Sequence, residues 1–345
     1  MEERVTDRKE GLPLLAITMG DVCGIGPEVI AKALAHEALY PLCRPLVIGH
    51  RPSLEAALRF AGRSLEIRPV TSPSEGRYLP GGIDLLDPGG VDLSGIRVGQ
   101  VCAPAGRAAV TFVFRAADLA LAGEVDGVVT APLHKEAMNL AGFSYAGHTE
   151  LLAERTGAAA SRMMLATETF RIVHVTTHIA LRDVPQRATT DRILKTLDLA
   201  HEALLDLGIE RPKIAVAGIN PHCGEGGMFG DEDMRIVAPA VEQARARGWD
   251  VAGPLPPDTV FHRAYRGAFD AVIAMYHDQG HIPMKLVAFA EAVNVTLGLP
   301  IVRTSVDHGT AFDIAGRGVA DETNMLAAVR MAARLANSRK VRHGP

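Results

Sequence analysis

The chain has 345 residues, 48% hydrophobic and 22% charged, an ordinary soluble composition and more chain than one small core can use, so two lobes are expected. Its 36 basic and 40 acidic residues leave a net charge of -4, which argues against a nucleic-acid binder; an anionic ligand must be held by locally placed Arg, Lys and His. Cys23, Cys43, Cys102 and Cys223 form no CxxC pair and no apolar run approaches a membrane span, which disfavours a disulfide scaffold or cysteine-rich zinc site and fits a reducing cytoplasm.

Met1–Glu10 is charged, lacks the apolar core of a signal peptide and reads as a frayed tail. Leu14–Met19 reads as the first strand and leads through Gly20-Asp-Val-Cys-Gly-Ile-Gly-Pro-Glu28 into a helix reaching about Leu39. Pro27 suits a first helical turn, and Gly24 and Gly26 let the backbone approach a partner. The GxxxGxG spacing is not the dinucleotide fingerprint, so this turn serves equally as an anion loop or as a plain connection. Pro45–Gly49 is a second strand, and residues 63–101 read as irregular or short-strand structure. A helix over about Ala105–Ala122 precedes the strand Val125–Pro132 and the polar cluster His134-Lys135. Alternating strands and helices favour a mostly parallel sheet and an α/β fold.

His148-Thr149-Glu150 opens the next helix, with Thr149 a candidate N-cap and His148 where exposed N–H groups collect an anion. Phe170–His178 and Lys213–Asn220 read as strands, separated by an amphipathic helix from Asp191. The second closes with Pro221-His222-Cys223, and Asp258 falls in a proline-rich loop. After the buried run Phe269–Ala274, polarity changes abruptly at His277, Asp278, Gln279, His281 and Lys285, with Gly280 and Pro283 expected to break regular structure. Residues just past the carboxyl end of a strand line the ligand crevice of an α/β protein, so this stretch reads as the centre of a site. Strands at Val293–Thr296 and Ile301–Thr304 follow, then the glycine-bearing loop Asp307–Gly318 and a C-terminal helix from about Asn324.

His178, His222 and His277 each follow a predicted strand. If those strands share a sheet, three imidazoles with an open position make a catalytic site for zinc or another divalent ion; taken singly, each is an ordinary surface or core histidine. Lys285, Asn294 and Arg303, with His148 and Thr149, suit a phosphate or carboxylate, or else are solvated surface groups. Cys223 beside His222 is a soft ligand, a nucleophile or a small buried filler.

The blocks GDVCGIGPE, APLHK, GHTELLAERT, VTTHIALRD, GINPHCGEGG, PPDTVF, AMYHDQGHIPMK, VNVTLGLP and VRTSVDHGTAFDIAGRG together resemble the 4-hydroxythreonine-4-phosphate dehydrogenase family. The resemblance implies the two-lobed fold of isocitrate and isopropylmalate dehydrogenases with an inter-lobe active-site cleft, and a homodimer whose active sites combine residues of both subunits. The lobes would be residues 13–133 with 302–345, and 134–301 carrying the metal ligands and dimer contacts, with 1–12 a flexible tail. It further implies His178, His222 and His277 as divalent-metal ligands (zinc, or else magnesium, manganese or cobalt), and His148, Thr149, Lys285, Asn294 and Arg303 as substrate contacts. His308, Gly309, Asp313, Gly316 and Gly318 would form the adenine-side NAD or NADP loop. The implied reaction is oxidation of a secondary alcohol followed by decarboxylation of the 3-keto acid, with Asp258 either handling a proton or making a structural hydrogen bond.

Two departures from the family pattern stand out. Val22-Cys23 occupies the usual Pro-Ala position, and Cys223 that of the usual Ala. HDQGHIPMK, THIALRD and HGTAFDIA resemble the branch that oxidises 4-phospho-D-threonate or 4-phospho-D-erythronate; the branch serving vitamin B6 synthesis usually departs just after HDQG. The intact GHTE sets the chain apart from a branch acting on dihydrodiol dicarboxylates. A tri-histidine metal hydrolase and a non-catalytic phosphometabolite binder are the readings from other classes.

Overall fold

The structure, a computed structural model, describes residues 11–343; the charged stretch Met1–Glu10 lies outside them. The chain divides into two compact units, one of residues 1–160 with 299–345 and one of residues 161–298.

In the first unit, β1 (Leu14–Thr18) is followed by α1 (Gly26–Ala33), β2 (Arg44–Ile48), α2 (Arg51–Phe60), β3 (Glu66–Pro69) and β4 (Gly82–Leu86). Then come α3 (Ala103–Leu121), β5 (Gly127–Thr130), α4 (Lys135–Leu140) and α5 (His148–Thr156). The second unit contributes β6 (Arg162–Ala166), β7 (Arg171–His174), α6 (Thr190–Asp206), β8 (Lys213–Ala217) and α7 (Ala238–Ala246). It continues with β9 (Asp250–Leu255), α8 (Pro257–Tyr265), β10 (Ala271–Ala274), α9 (His277–Ala288) and β11 (Val293–Leu297). The chain re-enters the first unit with β12 (Arg303–Ser305) and α10 (Thr323–His343).

The first unit's strands run in the order β3-β4-β2-β1-β5-β12, every pair parallel. β1 and β5 are buried along their whole length, as continuous apolar runs covered on both faces should be. The register sets Thr18 opposite Thr130 and Thr130 opposite Ser305, so three polar residues line up at one carboxyl edge. In the second unit the order is β11-β6-β7-β10-β8-β9. There β7, β10, β8 and β9 are parallel while β6 runs antiparallel to both neighbours. Because β7, β10 and β8 point the same way, the segments leaving them toward His178, His277 and His222 depart from one edge. The α/β class with mostly parallel sheets is as expected. No helix among the described residues is long and apolar enough to cross a membrane.

Several local expectations are corrected. The boundary expected at residue 133 falls after Ala160, because α4 and α5 pack on α3. Arg107 Nη2 donates to the Ala141 carbonyl at 3.1 Å, Arg155 pairs with Asp118 at 2.6 Å, and a side chain at Gly106 would strike the Ala137 carbonyl. Thr149 does not cap α5: the helix begins two residues earlier than such a cap would allow, with Gly147 at the N-cap. Asp258 sits in the first turn of α8, where Pro256-Pro257 presets helical φ and an acidic side chain favours the N–H end. The helix expected to reach Leu39 ends at Ala33 and resumes as a single 3-10 turn, Glu37–Leu39. His277–Lys285 is helix, not broken loop: Gly280 and Pro283 lie inside α9. Glycine is required at 280 because a Cβ there would come within 2.4 Å of His174 Nε2.

Candidate active site

The second unit gathers four imidazoles. The His178 and His277 ring centroids are 5.7 Å apart, His277 and His281 stack at 3.6 Å, and His174 lies 4.7 Å from His281 and 6.4 Å from His277. Two imidazoles bound through nitrogens about 2.1 Å from one tetrahedral ion would have ring centres about 5–5.5 Å apart, so His178 and His277 fit a shared ligand pair. Asp278 Oδ1 accepts from His277 Nδ1 at 2.6 Å, which fixes the tautomer and leaves Nε2 as a lone-pair donor. His178 is exposed and His277 half-buried, so both open to solvent. His281 turns its Nδ1 to the His277 carbonyl at 3.0 Å. Buried Gln279 ties two strands together, accepting from Met275 N at 2.6 Å and donating to the Gly218 carbonyl at 2.7 Å.

His222 arrives on a different device. From His222 to Gly227 the backbone is left-handed throughout, including His222 (φ 51°), Cys223 (φ 57°) and Glu225 (φ 44°). Left-handed backbone at a residue bearing a Cβ costs about 1–2 kcal/mol, and such strain collects at ligand sites. Asp233 anchors the turn by accepting from Ile219 N at 2.7 Å and Asn220 N at 3.0 Å. Burial, with the charges of Asp233 and Asp258 nearby, pushes the Cys223 thiol up to about 11, so this sulfur stays protonated near neutrality. Asp258 therefore stands near the His222 turn, lining an apolar hollow of about 500 Å³ with Phe261, Tyr276 and Leu286. Among the described residues, no group of three or more His, Cys, Asp or Glu is gathered tightly enough to hold a metal ion. The chain alone thus supplies a neighbouring pair, His178 and His277, and presents His222 separately. On the same unit, Lys285 Nζ lies 5.2 Å over the Phe289 ring, and Asn294 Oδ1 is buried without a hydrogen-bond partner.

In the first unit, Arg303 is buried on β12 and its Nη2 donates to Thr130 Oγ1 at 2.7 Å. Burial lowers its guanidinium to about 9, while Glu150 favours the charge. His148 Nε2 is buried with no partner; burial and then the Arg303 charge hold the ring well below its usual pKa, hence neutral. Thr149 follows it in the first turn of α5. Asp21, beyond the carboxyl end of β1, is fully buried, with Oδ1 accepting from Cys23 N at 2.9 Å and Oδ2 lacking a partner. Burial raises its carboxyl to about 6, against the opposing pull of the Cys23 N–H and His134. Thr18 Oγ1, at the same edge, also lacks a partner. A rim of buried polar atoms at the carboxyl edge of a parallel sheet is the arrangement that receives an anion there.

His308 Nδ1 meets the Gly309 carbonyl at 3.0 Å, and its Nε2 is buried without a partner. A Cβ at Gly309 would touch nothing within 4 Å, and Asp313 is exposed. Gly316 and Gly318 both have positive φ, and a Cβ at Gly318 would strike the Phe60 carbonyl at 2.1 Å. Glycine at 318 is therefore explained by packing on α2. Glu28 and Lys32 clamp the same segment: Glu28 accepts from Ala320 N at 2.9 Å, and Lys32 donates to the Ala320 carbonyl at 2.6 Å. A cavity of about 210 Å³ opens beside it, between Gly24, His50, Phe60 and Gly316. Asp21 and His174 lie outside the residues that sequence reasoning selects; an acid shortly after a strand and the first histidine of the HxxxH spacing are the signals available for them.

Residues 41–332 match the family described as pyridoxal phosphate biosynthetic protein PdxA. The D-threonate 4-phosphate dehydrogenase of Cupriavidus necator is 50% identical over 330 residues, 95% of this chain and 98% of that one. The 4-hydroxythreonine-4-phosphate dehydrogenase of Desulforapulum autotrophicum is 47% identical, covering 93% of this chain and 95% of its own. The solved 4-hydroxythreonine-4-phosphate dehydrogenase of Klebsiella pneumoniae has a TM-score of 0.87 at 47% identity, covering 94% of this chain and 98% of that one.

Proposed function

The chain belongs to the 4-hydroxythreonine-4-phosphate dehydrogenase (PdxA) family, a family of dehydrogenases acting on phosphorylated hydroxy acids, and from that premise we propose that it oxidises the 3-hydroxyl of 4-phospho-D-threonate or 4-phospho-D-erythronate. NAD or NADP is the oxidant, a divalent ion, zinc first, is required, and the 3-keto acid loses carbon dioxide. The observation that carries the reading is the His277–Asp278 pair set beside His178, a ligand held in one tautomer by a carboxylate.

His178, His222 and His277 would hold the ion. The bound ion and the nicotinamide supply Lewis-acid polarisation and hydride acceptance. The chain's own residues do the rest. Arg303 offers a permanent cation to the phosphoryl or carboxylate end, where each charge-assisted bond contributes about 1.5–3 kcal/mol. His148, kept neutral, offers a hydrogen bond without adding charge, with Thr149 beside it; Lys285 and Asn294 are the contacts from the second unit. Asp258 is the candidate for moving a proton. His308, Gly309, Asp313, Gly316 and Gly318 are the cofactor-loop residues.

A homodimer with shared active sites belongs to the same proposal. On α9 and its C-cap, Ile282, Leu286 and Phe289 follow helical spacing and are 65%, 84% and 74% exposed, an apolar stripe suited to a second copy of the chain. A second copy would also bring further ligands to the His178–His277 pair.

The choice of substrate follows the relative named for D-threonate 4-phosphate; relatives named for 4-hydroxythreonine 4-phosphate support that compound as the second reading. The deciding experiment supplies 4-phospho-D-threonate, 4-phospho-D-erythronate and 4-hydroxythreonine 4-phosphate in turn, with zinc and NAD or NADP, and follows absorbance of the reduced nicotinamide and released carbon dioxide. Turnover highest on the first two supports the proposal. Preference for the amino compound assigns the second reading, and metal-dependent hydrolysis without nicotinamide reduction would replace both with a tri-histidine hydrolase.

A further inference from the structure

Two of the four thiols stand together in the first unit. Cys23 Sγ and Cys102 Sγ are 4.0 Å apart, in van der Waals contact, although 79 residues separate them. Cys23 belongs to the glycine turn between β1 and α1 and is fully buried; Cys102 is the N-cap of α3 and partly exposed. Their segments are already joined by the backbone, since Gly99 N donates to the Cys23 carbonyl at 2.7 Å. Closing to a bonded separation of about 2 Å requires the sulfurs to approach by about 2 Å. Cys102 enters the helical ladder only through its carbonyl, which accepts from Gly106 N at 3.2 Å, so its side is the freer one, whereas the turn around Cys23 is wedged. A side chain at Gly24 would strike the Thr310 carbonyl at 2.8 Å, and Ile25 N donates to that carbonyl at 2.9 Å.

We propose that Cys23 and Cys102 form a reversible redox pair that closes to a disulfide under peroxide, drawing the N-cap of α3 onto the wedged glycine turn and slowing turnover. Oxidation begins at Cys102, the accessible sulfur: its thiolate attacks hydrogen peroxide, forming a sulfenic acid and releasing hydroxide. Cys23 sulfur then attacks the sulfenic sulfur, the S–S bond forms, and the sulfenic oxygen leaves as hydroxide. That hydroxide and the Cys23 proton make water. In sum two thiols and one peroxide give one disulfide and two waters. Burial, with the Asp21 charge next, keeps the Cys23 thiol protonated, so it waits as the resolving partner. A thiol reductant reverses the step.

The effect on turnover rests on the dehydrogenase reading; the bond itself does not. The full-length protein is treated with hydrogen peroxide and digested under alkylation, and peptides are read by mass spectrometry alongside a thiol count. Expected are a cross-linked pair containing Cys23 and Cys102, a fall from four thiols to two, loss of most turnover, and recovery of both with dithiothreitol. Cys102→Ser should show no cross-link and keep its turnover under the same dose. Absence of the Cys23–Cys102 peptide, a cross-link with unchanged turnover, or equal peroxide inactivation of Cys102→Ser would each overturn the proposal. If reduced enzyme acts on none of the three phosphorylated acids yet the cross-link forms, the functional reading fails while the redox pair stands.

Discussion

His174 gives the sharpest physical test of the histidine cluster. It ends β7 with 1% of its surface exposed, neither ring nitrogen has a hydrogen-bond partner, and it lies against His281. Burial, reinforced by the charges His281 and His277 would carry, lowers its pKa to about 3. Because the folded pKa is depressed below the ordinary value of about 6.5, the unfolded chain binds the proton first and stability falls as pH drops through 6.5. The linkage amounts to about 2 kcal/mol between pH 7.5 and pH 5, with a slope of about 1 kcal/mol per pH unit below 6.5. His148 acts in the same direction. Asp21, raised to about 6, acts oppositely, since the folded state then holds the proton more tightly over the window from 6 down to the ordinary carboxylate range. The wild-type curve alone is therefore a partial cancellation. Comparison with His174→Leu isolates the histidine: urea unfolding of metal-free protein should show the wild type losing about 2 kcal/mol relative to the variant across that range. The variant's absolute stability is immaterial, because only the difference in slope is read. Parallel curves would mean that His174 is not held neutral, and the packing argument for the cluster would fail.

Asp21→Asn keeps an oxygen for the Cys23 N–H and removes a buried carboxylate; it should be more stable than wild type by about 2–3 kcal/mol at pH 8, the advantage vanishing near pH 4 in the same urea assay. Asp278→Asn frees the His277 tautomer and should weaken zinc binding roughly 10–100-fold by competition titration, with unchanged circular dichroism; full affinity would remove Asp278 from its orienting role. Arg303→Ala should raise KM for the phosphorylated acid roughly 10–100-fold while kcat falls less, and an unchanged KM would withdraw it from substrate binding. Leu286→Glu places a charge in the α9 stripe and should yield monomers by light scattering together with loss of turnover; a persistent dimer would move the interface elsewhere.

Strand-end polarity was the legible part of the site. The apolar runs Leu14–Met19, Val125–Pro132, Lys213–Asn220 and Phe269–Ala274 are the parallel strands, and His178, His222 and His277 do follow strands that leave one edge. Sequence misjudged what comes next. Glycine and proline in His277–Lys285 read as breakers, but Gly280 is demanded by His174 across the helix face, a contact between segments a hundred residues apart. Three prolines near Asp258 predict a loop; two of them instead start a helix. The strained His222–Gly227 turn carries no local signature beyond its glycines, since its non-glycine residues are forced left-handed by the Asp233 anchor and the chain around it.

The same contrast explains why Asp21 and His174 were the residues missed. Periodicity reports which side of an element faces the core, and both residues sit in runs whose neighbours are apolar, so they read as filler. Their distinguishing property is an unpartnered polar atom, which exists only once packing has excluded water from it. Burial shifts the two groups in opposite directions, Asp21 upward and His174 downward, and each shift favours the uncharged form. Each unit thus carries a buried titratable group at its sheet edge at a cost in stability, His174 held neutral and Asp21 brought closer to neutrality, where an apolar residue would pack more favourably. A fold selected for stability alone would not retain either. His174, held neutral against His281 and 6.4 Å from the His277 ring, is the kind of group the dehydrogenase reading has a use for: a polar side chain packed behind a proposed ligand without adding charge.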